Sequence, residues 1–154
     1  MRYFEIFSLT PSLSIDLADL ERRFYARSRE LHPDRFVRAP KDAQQKALDE
    51  SSILNDAYRT LKDPADRAEY VLQQLGIDSK ALPEGFLEEV FELNMELEEG
   101  GDRTVLHDKL KAIDATLNVL YPAWQGGQNE PVLTQIRETL NQRRYIENLV
   151  NPHV

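Results

Sequence analysis

The sequence predicts an all-α protein in which a helical hairpin with a short leading helix is followed by a three-helix bundle. Apolar residues recur at helical spacing along most of the chain, and no β-rich alternating run appears. Capping residues mark the predicted helix starts, and glycines and prolines mark the predicted ends. The 154 residues are 41% hydrophobic and 30% charged, which is typical of one ordinary folded domain or two small ones.

The first half of the sequence contains the predicted hairpin. A helix is expected from Asp16, whose carboxylate suits a cap, to about Leu31, because the residue before Pro33 is driven out of helical conformation. The apolar side chains of this helix share one face: Leu17, Leu20, Phe24 and Leu31. After a polar loop, a second long helix is predicted from about 41 to 61.

Further start and stop residues divide the rest of the chain. Asp63-Pro64 predicts a helix start with aspartate as cap, and Gly76 predicts its end. Residues 77–83 are predicted to be a linker. Three more helices are expected at about 84–99, 103–121 and 131–150, and the first of them is expected to break at Gly100-Gly101. Because short loops favour antiparallel neighbours, residues 84–154 are expected to form a three-helix bundle, separate from a first domain at 1–76.

The charge of the chain is strongly uneven. Its net charge of -8 disfavours a general nucleic-acid binder. Residues 1–76 carry 12 Lys/Arg against 13 Asp/Glu, whereas residues 77–154 carry 7 against 14. A nearly neutral half joined to an acidic one indicates two modules with different partners.

Composition also limits the possible chemistry. The chain has no cysteine, which excludes disulfides, a cysteine zinc site and an iron–sulfur ligand set of its own. No stretch approaches the roughly 18 apolar residues of a membrane helix, and Met1–Phe7 is too short and polar for a signal peptide. We therefore expect no cofactor, no metal site, no membrane contact and a cytoplasmic location.

A His32-Pro33-Asp34 turn lies between the two long helices of the hairpin. Proline makes such a turn rigid, and histidine and aspartate present polar groups at its tip, which suits docking on a protein better than catalysis. Arginines stand off the apolar stripe of the preceding helix and just beyond the turn: Arg22, Arg23, Arg27, Arg29, Arg35 and Arg38. The alternative is that the turn only connects two helices and the arginines keep the surface soluble.

Residues 1–76 resemble a J domain. The matching parts are a short helix at Tyr3–Phe7, a basic helix at Asp16–Leu31, the HPD turn and a long helix at Lys41–Leu61. The stretches RYFEIFSL, LHPDRF and ILNDAYRTLKDPADRAEYVL resemble the HscB subfamily, the dedicated co-chaperones of iron–sulfur cluster assembly. The Gly/Phe-rich linker and cysteine module of general DnaJ proteins are absent from this sequence.

This resemblance implies a set of chaperone-binding residues. His32, Pro33 and Asp34 would trigger ATP hydrolysis in a heat-shock chaperone of the DnaK/HscA class. Arg22, Arg23 and Arg27 would help to dock the helix on that chaperone. Arg35 stands where many J domains have lysine, so the positive charge is kept.

The predicted helix at 84–99 has two apolar stripes, although one is enough to pack it into a bundle. The first stripe consists of Phe86, Val90, Leu93 and Leu97, and the second of Leu87, Phe91 and Met95. The second stripe either packs on another part of the chain or forms an exposed strip for a protein partner, flanked by glutamates. Seven acids at mixed spacing on this helix do not make a cation cage.

The resemblance favours the partner-binding interpretation. In HscB-type proteins the C-terminal bundle binds the iron–sulfur scaffold protein IscU, and the contact helix resembles GFLEEVFELNMELEEG here. The implied scaffold-binding residues are Leu87, Glu88, Phe91, Glu92, Met95, Glu99 and Tyr145. The expected protein is therefore a non-enzymatic adaptor between an IscU-like scaffold and the chaperone. The alternatives are a J-domain co-chaperone with a different client and a small helical enzyme using His32.

Overall fold

This computed structural model describes residues 1–127 and 129–152 of the chain. They contain seven α-helices and two short 3-10 turns, joined by loops. The helices are α1 (Arg2–Ile6), α2 (Leu17–Glu30), α3 (Lys41–Lys62), α4 (Pro64–Gln74), α5 (Phe86–Glu98), α6 (Thr104–Leu120) and α7 (Glu130–Val150). The 3-10 turns are Pro33–Phe36 and Tyr121–Ala123. Because no strand occurs in these residues, the predicted all-α class is confirmed. The chain divides into two compact units, Met1–Gln74 and Leu75–Val154.

The first unit is built on α3, against which α1, α2 and α4 all pack. Its core side chains are almost free of solvent: Phe4, Leu13, Leu20, Leu54, Leu61, Val71 and Leu72. Full burial of a side chain of this size contributes about 1.5–3 kcal/mol. Leu17, expected on the buried face of α2, is instead 49% exposed, because it is the first residue of the helix and extends beyond the core.

A buried arginine that sequence reasoning did not single out holds three segments of the first unit together. Arg67 on α4 is 4% exposed. Its guanidinium donates to the Leu13 carbonyl oxygen at 3.2 and 3.0 Å and to the Leu61 carbonyl oxygen at 2.7 Å. These bonds offset the cost of burying the charge and fix the loop before α2 against the end of α3.

In the second unit α6 packs closely along α7, and both contribute buried side chains. The core includes Val90, Leu106, Ile113, Leu117, Leu133, Ile136 and Leu140. The loop between α6 and α7 contains the single tryptophan of the chain. Trp124 is 2% exposed, and its indole N–H donates to the Gly127 carbonyl oxygen at 3.1 Å. The core and this loop therefore fix the α6–α7 pair.

The segment that leads into α5 lies against α7. The side-chain amide of Asn141 donates to the carbonyl oxygens of Ser79 at 3.0 Å and Ala81 at 2.8 Å. Arg137 donates to the Ile77 carbonyl oxygen at 3.4 Å. Residues 77–81, within the predicted linker, are thus hydrogen-bonded inside the second unit.

Two glycines end α5. Gly100 has φ +95°, and its N–H donates to the Leu97 carbonyl oxygen, while the Gly101 N–H donates to the Glu96 carbonyl oxygen at 2.9 Å. This pair of bonds is the Schellman arrangement, which satisfies carbonyls left unpaired at a helix end. A Cβ at Gly101 would lie 2.7 Å from the Glu96 carbonyl oxygen, so only glycine fits there. The predicted break at Gly100-Gly101 is confirmed.

Candidate protein-docking surfaces

The His32-Pro33-Asp34 turn is held by its own backbone. His32 has an extended conformation (φ −59°, ψ 135°), as expected before proline, and the 3-10 turn begins at Pro33. The Arg35 N–H donates to the His32 carbonyl oxygen at 2.9 Å. The Asp34 N–H donates to His32 Nδ1 at 3.2 Å. The backbone therefore fixes both the turn and the imidazole ring.

This geometry determines what the turn presents to solvent. In the neutral imidazole only one ring nitrogen carries a proton. Since Nδ1 accepts a hydrogen bond, the proton is placed on Nε2, which is then free to donate to a partner. The Asp34 carboxylate lies 3.7 Å from Nδ1, beyond hydrogen-bond distance, and its side chain is 87% exposed. The side chain of His32 is 60% exposed. The turn offers a fixed donor and a free carboxylate, which are features of a contact surface.

Arg23 makes its contacts inside the first unit. Its Nη1 donates to the carbonyl oxygens of Phe7 at 2.8 Å and Ser8 at 3.3 Å. Its Nε donates to the Asp19 carboxylate at 2.9 Å. Ser8 has φ 55°, an uncommon conformation for a residue other than glycine, and the Arg23 contact holds this turn against α2.

Arg27 also has its ionic partners within the first unit. Its guanidinium lies 2.6 Å from the Glu30 carboxylate on α2 and 3.6 Å from the Glu50 carboxylate on α3. The side chain thereby connects the two helices of the hairpin. Both Arg23 and Arg27, which the resemblance implies to be docking residues, have partners within their own unit.

The outward face of α2 carries Arg22, Tyr25 and Arg29, which lie opposite the buried Leu20 at helical spacing. Arg22 has only a loose contact with Asp19 at 3.4 Å and is 68% exposed. Arg29 and, beyond the turn, Arg35 are exposed and form no ion pair within the described residues. This face, together with the His32-Pro33-Asp34 turn, is called the basic face below.

Tyr25 was missed by sequence reasoning, although it stands off the apolar stripe three residues after Arg22 and four before Arg29. Its ring lies 5.5 Å from that of Phe24, which in turn stacks on Tyr58 at 4.0 Å. Burial raises the pKa of the Tyr58 hydroxyl, and the negative charge of Glu21 adds to the effect. Phe24, which stacks on Tyr58 of α3, therefore lies beside Tyr25.

Helix α5 buries one stripe and exposes the other. Phe86 and Val90 are buried, whereas Leu87, Phe91 and Met95 are 52%, 65% and 47% exposed. A contiguous run of large exposed apolar side chains is unusual on a folded surface and indicates a binding site.

The exposed stripe forms one side of an open groove, called the partner groove below. It is lined by Leu87, Glu88, Phe91, Glu92, Asn94, Met95 and Tyr145. Six of the seven residues implied by the resemblance therefore come together. Glu99 does not line the groove, because it is the residue that caps α5, and Asn94 was not anticipated. Glu88 and Glu92 form no ion pair with any described residue.

Tyr145 reaches the groove from α7. Its ring meets that of Phe86 edge-on, with centroids 5.9 Å apart and an interplanar angle of 84°. The buried face of α7 includes Leu133, Ile136, Leu140 and Ile146, whereas Tyr145 is 38% exposed. Arg143 pairs with Asp114 on α6 at 2.7 Å. The described residues contain no cluster of groups able to hold a metal ion, and none of their helices is long and apolar enough to cross a membrane.

Comparison with known proteins identifies the family of the first unit. A family model described as "DnaJ domain" matches residues 2–70. A "Co-chaperone protein HscB homolog" of Neisseria meningitidis serogroup B is 45% identical over 80 residues, which are 52% of this chain and 48% of that protein. The match thus spans about half the length of this relative.

Other matches extend over both units. A "Co-chaperone protein HscB homolog" of Vibrio vulnificus is 35% identical over 126 residues, 79% of this chain and 74% of that protein. The structure of "Chaperone HscB from Vibrio cholerae" covers 99% of this chain and 94% of its own, with 30% identity and a TM-score of 0.70.

The "human co-chaperone protein HscB" shares the fold, with a TM-score of 0.73 at 24% identity over 97% of this chain and 79% of its own. The His32-Pro33-Asp34 turn lies within the part of the chain that the DnaJ model matches. The long alignment to the Vibrio vulnificus relative includes residues beyond that part. The chain belongs to the family of HscB-type J-domain co-chaperones.

Proposed function

We propose that this protein is an adaptor that delivers an IscU-like iron–sulfur scaffold to a DnaK/HscA-class chaperone and stimulates the ATPase of that chaperone. The observation that carries the proposal is the presence of two exposed surfaces of different chemistry, one in each unit. The first unit presents the basic face, and the second presents the acidic, apolar partner groove. The iron–sulfur cluster is cargo of the scaffold and needs no ligand from this chain.

Chaperone docking would use the outward-facing residues of the first unit. Arg22, Arg29 and Arg35 give this face a positive charge that steers it towards an acidic patch and orients it there. The rigid turn then places the His32 Nε2–H and the Asp34 carboxylate against fixed positions of the chaperone. Stimulation follows if these contacts are stronger in the hydrolysis-competent state of the chaperone, because only differential binding shifts an equilibrium.

Scaffold docking would use the partner groove. Leu87, Phe91 and Met95 supply apolar contact area, and the flexible methionine adapts to the shape of a partner. Glu88 and Glu92 at the rim favour a partner with basic residues around an apolar centre. In this proposal the protein acts by binding alone, as a non-enzymatic adaptor in the cytoplasm.

The test is the ATPase rate of the purified chaperone with this protein, with the scaffold, and with both together. We expect stimulation by the protein alone and more than additive stimulation with the scaffold. His32→Gln should abolish both effects, and Leu87→Ala with Phe91→Ala should abolish only the synergy. Equal stimulation by the wild type and His32→Gln would overturn the J-domain mechanism.

A J-domain co-chaperone with a different client is the second candidate, because the groove residues Met95 and Asn94 suit several partners. It predicts ATPase stimulation that depends on His32 but no synergy with the scaffold. Scaffold binding that is unchanged by Leu87→Ala with Phe91→Ala would assign the groove to that other client.

A further inference from the structure

Lys109 on α6 contacts α5 on the side away from the partner groove. Its ammonium forms an ion pair with Glu89 and lies 5.6 Å from the centroid of the Phe86 ring. Only 20% of the Lys109 side chain is exposed. A cation near an aromatic ring is attracted more strongly when it is partly removed from water, whereas an exposed ion pair contributes little.

The first turn of α5 depends on tertiary contacts such as those with Lys109. Its N-cap is Gly85, with φ +84°, and no side chain there accepts a hydrogen bond from the first N–H groups. The turn carries Phe86 and Leu87, the first residues of the buried and exposed stripes. Since a local cap is missing, tertiary contacts have to fix this end of the helix.

Phe86 connects Lys109 to the groove. The Phe86 ring is 4% exposed and meets the Tyr145 ring edge-on, as described above. Edge-to-face aromatic pairs have a preferred orientation, so the position of one ring constrains the other. The contacts run without a gap from Lys109 through Phe86 to the groove wall formed by Tyr145.

We infer that Lys109 is a positioning residue for the partner groove: it holds Phe86 and Glu89 of α5 and thereby sets Tyr145 against the exposed stripe. The inference rests on the proposed scaffold-binding role and adds to it a residue that does not line the groove. Substitution of Lys109 therefore changes affinity for the scaffold without removing any contact to it.

The first test reads the ring positions directly in the full-length protein without a partner. Lys109→Met keeps the aliphatic stem and removes the charge, and Lys111→Met is the matched control, because Lys111 is exposed on the same helix. The aromatic proton resonances of Tyr145 report the ring current of Phe86. We expect them to shift in Lys109→Met and to stay unchanged in Lys111→Met. Unmoved resonances in both variants would overturn the inference, whatever the scaffold does.

The second test measures affinity for a purified IscU-like scaffold by calorimetry. Lys109→Met should weaken binding about threefold to tenfold, while Lys109→Arg and Lys111→Met retain it. In a Tyr145→Ala background, Lys109→Met should have less than about a twofold further effect, because the ring that it positions is gone. An equal loss in both backgrounds would show that Lys109 acts through general stability. Absence of binding by the wild type would contradict the proposed function, and the ring resonances alone would then decide the inference.

Discussion

At the residue scale, neighbouring arginines of α2 differ in what they contact. Arg23 donates to the backbone of Phe7 and Ser8, whereas Arg22, one position earlier, extends into solvent. The resemblance assigned both residues to chaperone docking. Their side chains point about 100° apart around the helix, and this rotation separates a structural role from a surface role.

This separation predicts different consequences for the two arginines. Arg22→Ala should weaken chaperone binding, because it removes an exposed charge, and leave the free energy of unfolding within about 0.5 kcal/mol of the wild type. Arg23→Ala should lower that free energy by about 1–3 kcal/mol, because the Phe7 and Ser8 carbonyls lose a charged donor. Urea unfolding and chaperone affinity, measured on both variants, check this. The assignment is wrong if Arg22→Ala is the more destabilising change.

A second prediction at this scale concerns the buried Arg67. Arg67→Ala should cost about 3 kcal/mol of unfolding free energy, because it leaves the carbonyls of Leu13 and Leu61 without a donor away from water. Arg59→Ala is the matched control: the Arg59 side chain is 72% exposed and, among the residues that the structure describes, its ion pair is with Asp56 on the same helix. Its effect should stay within about 0.5 kcal/mol. Similar unfolding midpoints for the two variants would refute the structural role of Arg67.

At the element scale, the end of α5 decides how far the partner groove extends. The helix carries Met95 in its last turn and stops where Gly100 and Gly101 satisfy its carbonyls. A longer or frayed helix would move the exposed stripe relative to Tyr145. The two glycines are therefore part of the support of the groove, although neither lines it.

Substitution at these glycines tests that dependence. Gly101→Ala should destabilise the second unit by about 1–3 kcal/mol, because its Cβ would meet a backbone oxygen that cannot move freely. Gly100→Asn should cost less, since asparagine tolerates the left-handed conformation. Amide hydrogen exchange of residues 96–99 measures the effect: it should accelerate strongly in Gly101→Ala. Unchanged exchange there would show that α5 ends for another reason.

At the scale of the whole molecule, charge divides along the chain. The acidic second half holds the partner groove, and the nearly neutral first half presents a local cluster of arginines. Exposed charges farther apart than about 8–10 Å are largely screened at physiological salt. Long-range attraction therefore acts mostly on the rate at which each surface encounters its partner. The basic face and the partner groove act independently in this respect.

This predicts how each interaction responds to salt. Raising NaCl from about 0.05 to about 0.5 M should slow association with the chaperone by tenfold or more, because the long-range attraction of the basic face comes from Arg22, Arg29 and Arg35. Dissociation of the scaffold should change much less, since Leu87, Phe91 and Met95 supply apolar contacts that salt does not screen. Stopped-flow or surface-binding kinetics give both rates. A chaperone association rate independent of salt would contradict the role of the basic face.

Helices were predictable from the sequence because their ends depend on chemistry within a few residues. Asp16 accepts from the N–H groups of Ala18 and Asp19, and the Gly100-Gly101 pair closes α5, both as expected. The exposed stripe of α5 was identifiable for the same reason, because one helix cannot bury two faces in a single core.

The contacts that separate surface residues from structural ones were not predictable in this way. Arg27 has a partner on α3 in Glu50, and Tyr145 packs on Phe86 from a helix far along the chain. Periodicity gives the direction of a side chain around its own helix but not the residue that it meets. Tyr25 was missed for a related reason. An aromatic residue off the apolar stripe can be interpreted as a contact residue only when the structure shows that its side of the helix is exposed.

Trp124 makes the second unit optically distinct from the first. It is the single tryptophan of the chain and is almost fully buried. The aromatic ultraviolet chromophores of the first unit are tyrosine and phenylalanine. Excitation at wavelengths that tyrosine does not absorb therefore reports loss of structure in the second unit alone, without any introduced dye. Compared with the helical signal of the whole chain, this emission tells whether the unit that would bind the chaperone and the unit that would carry the cargo melt together or one after the other.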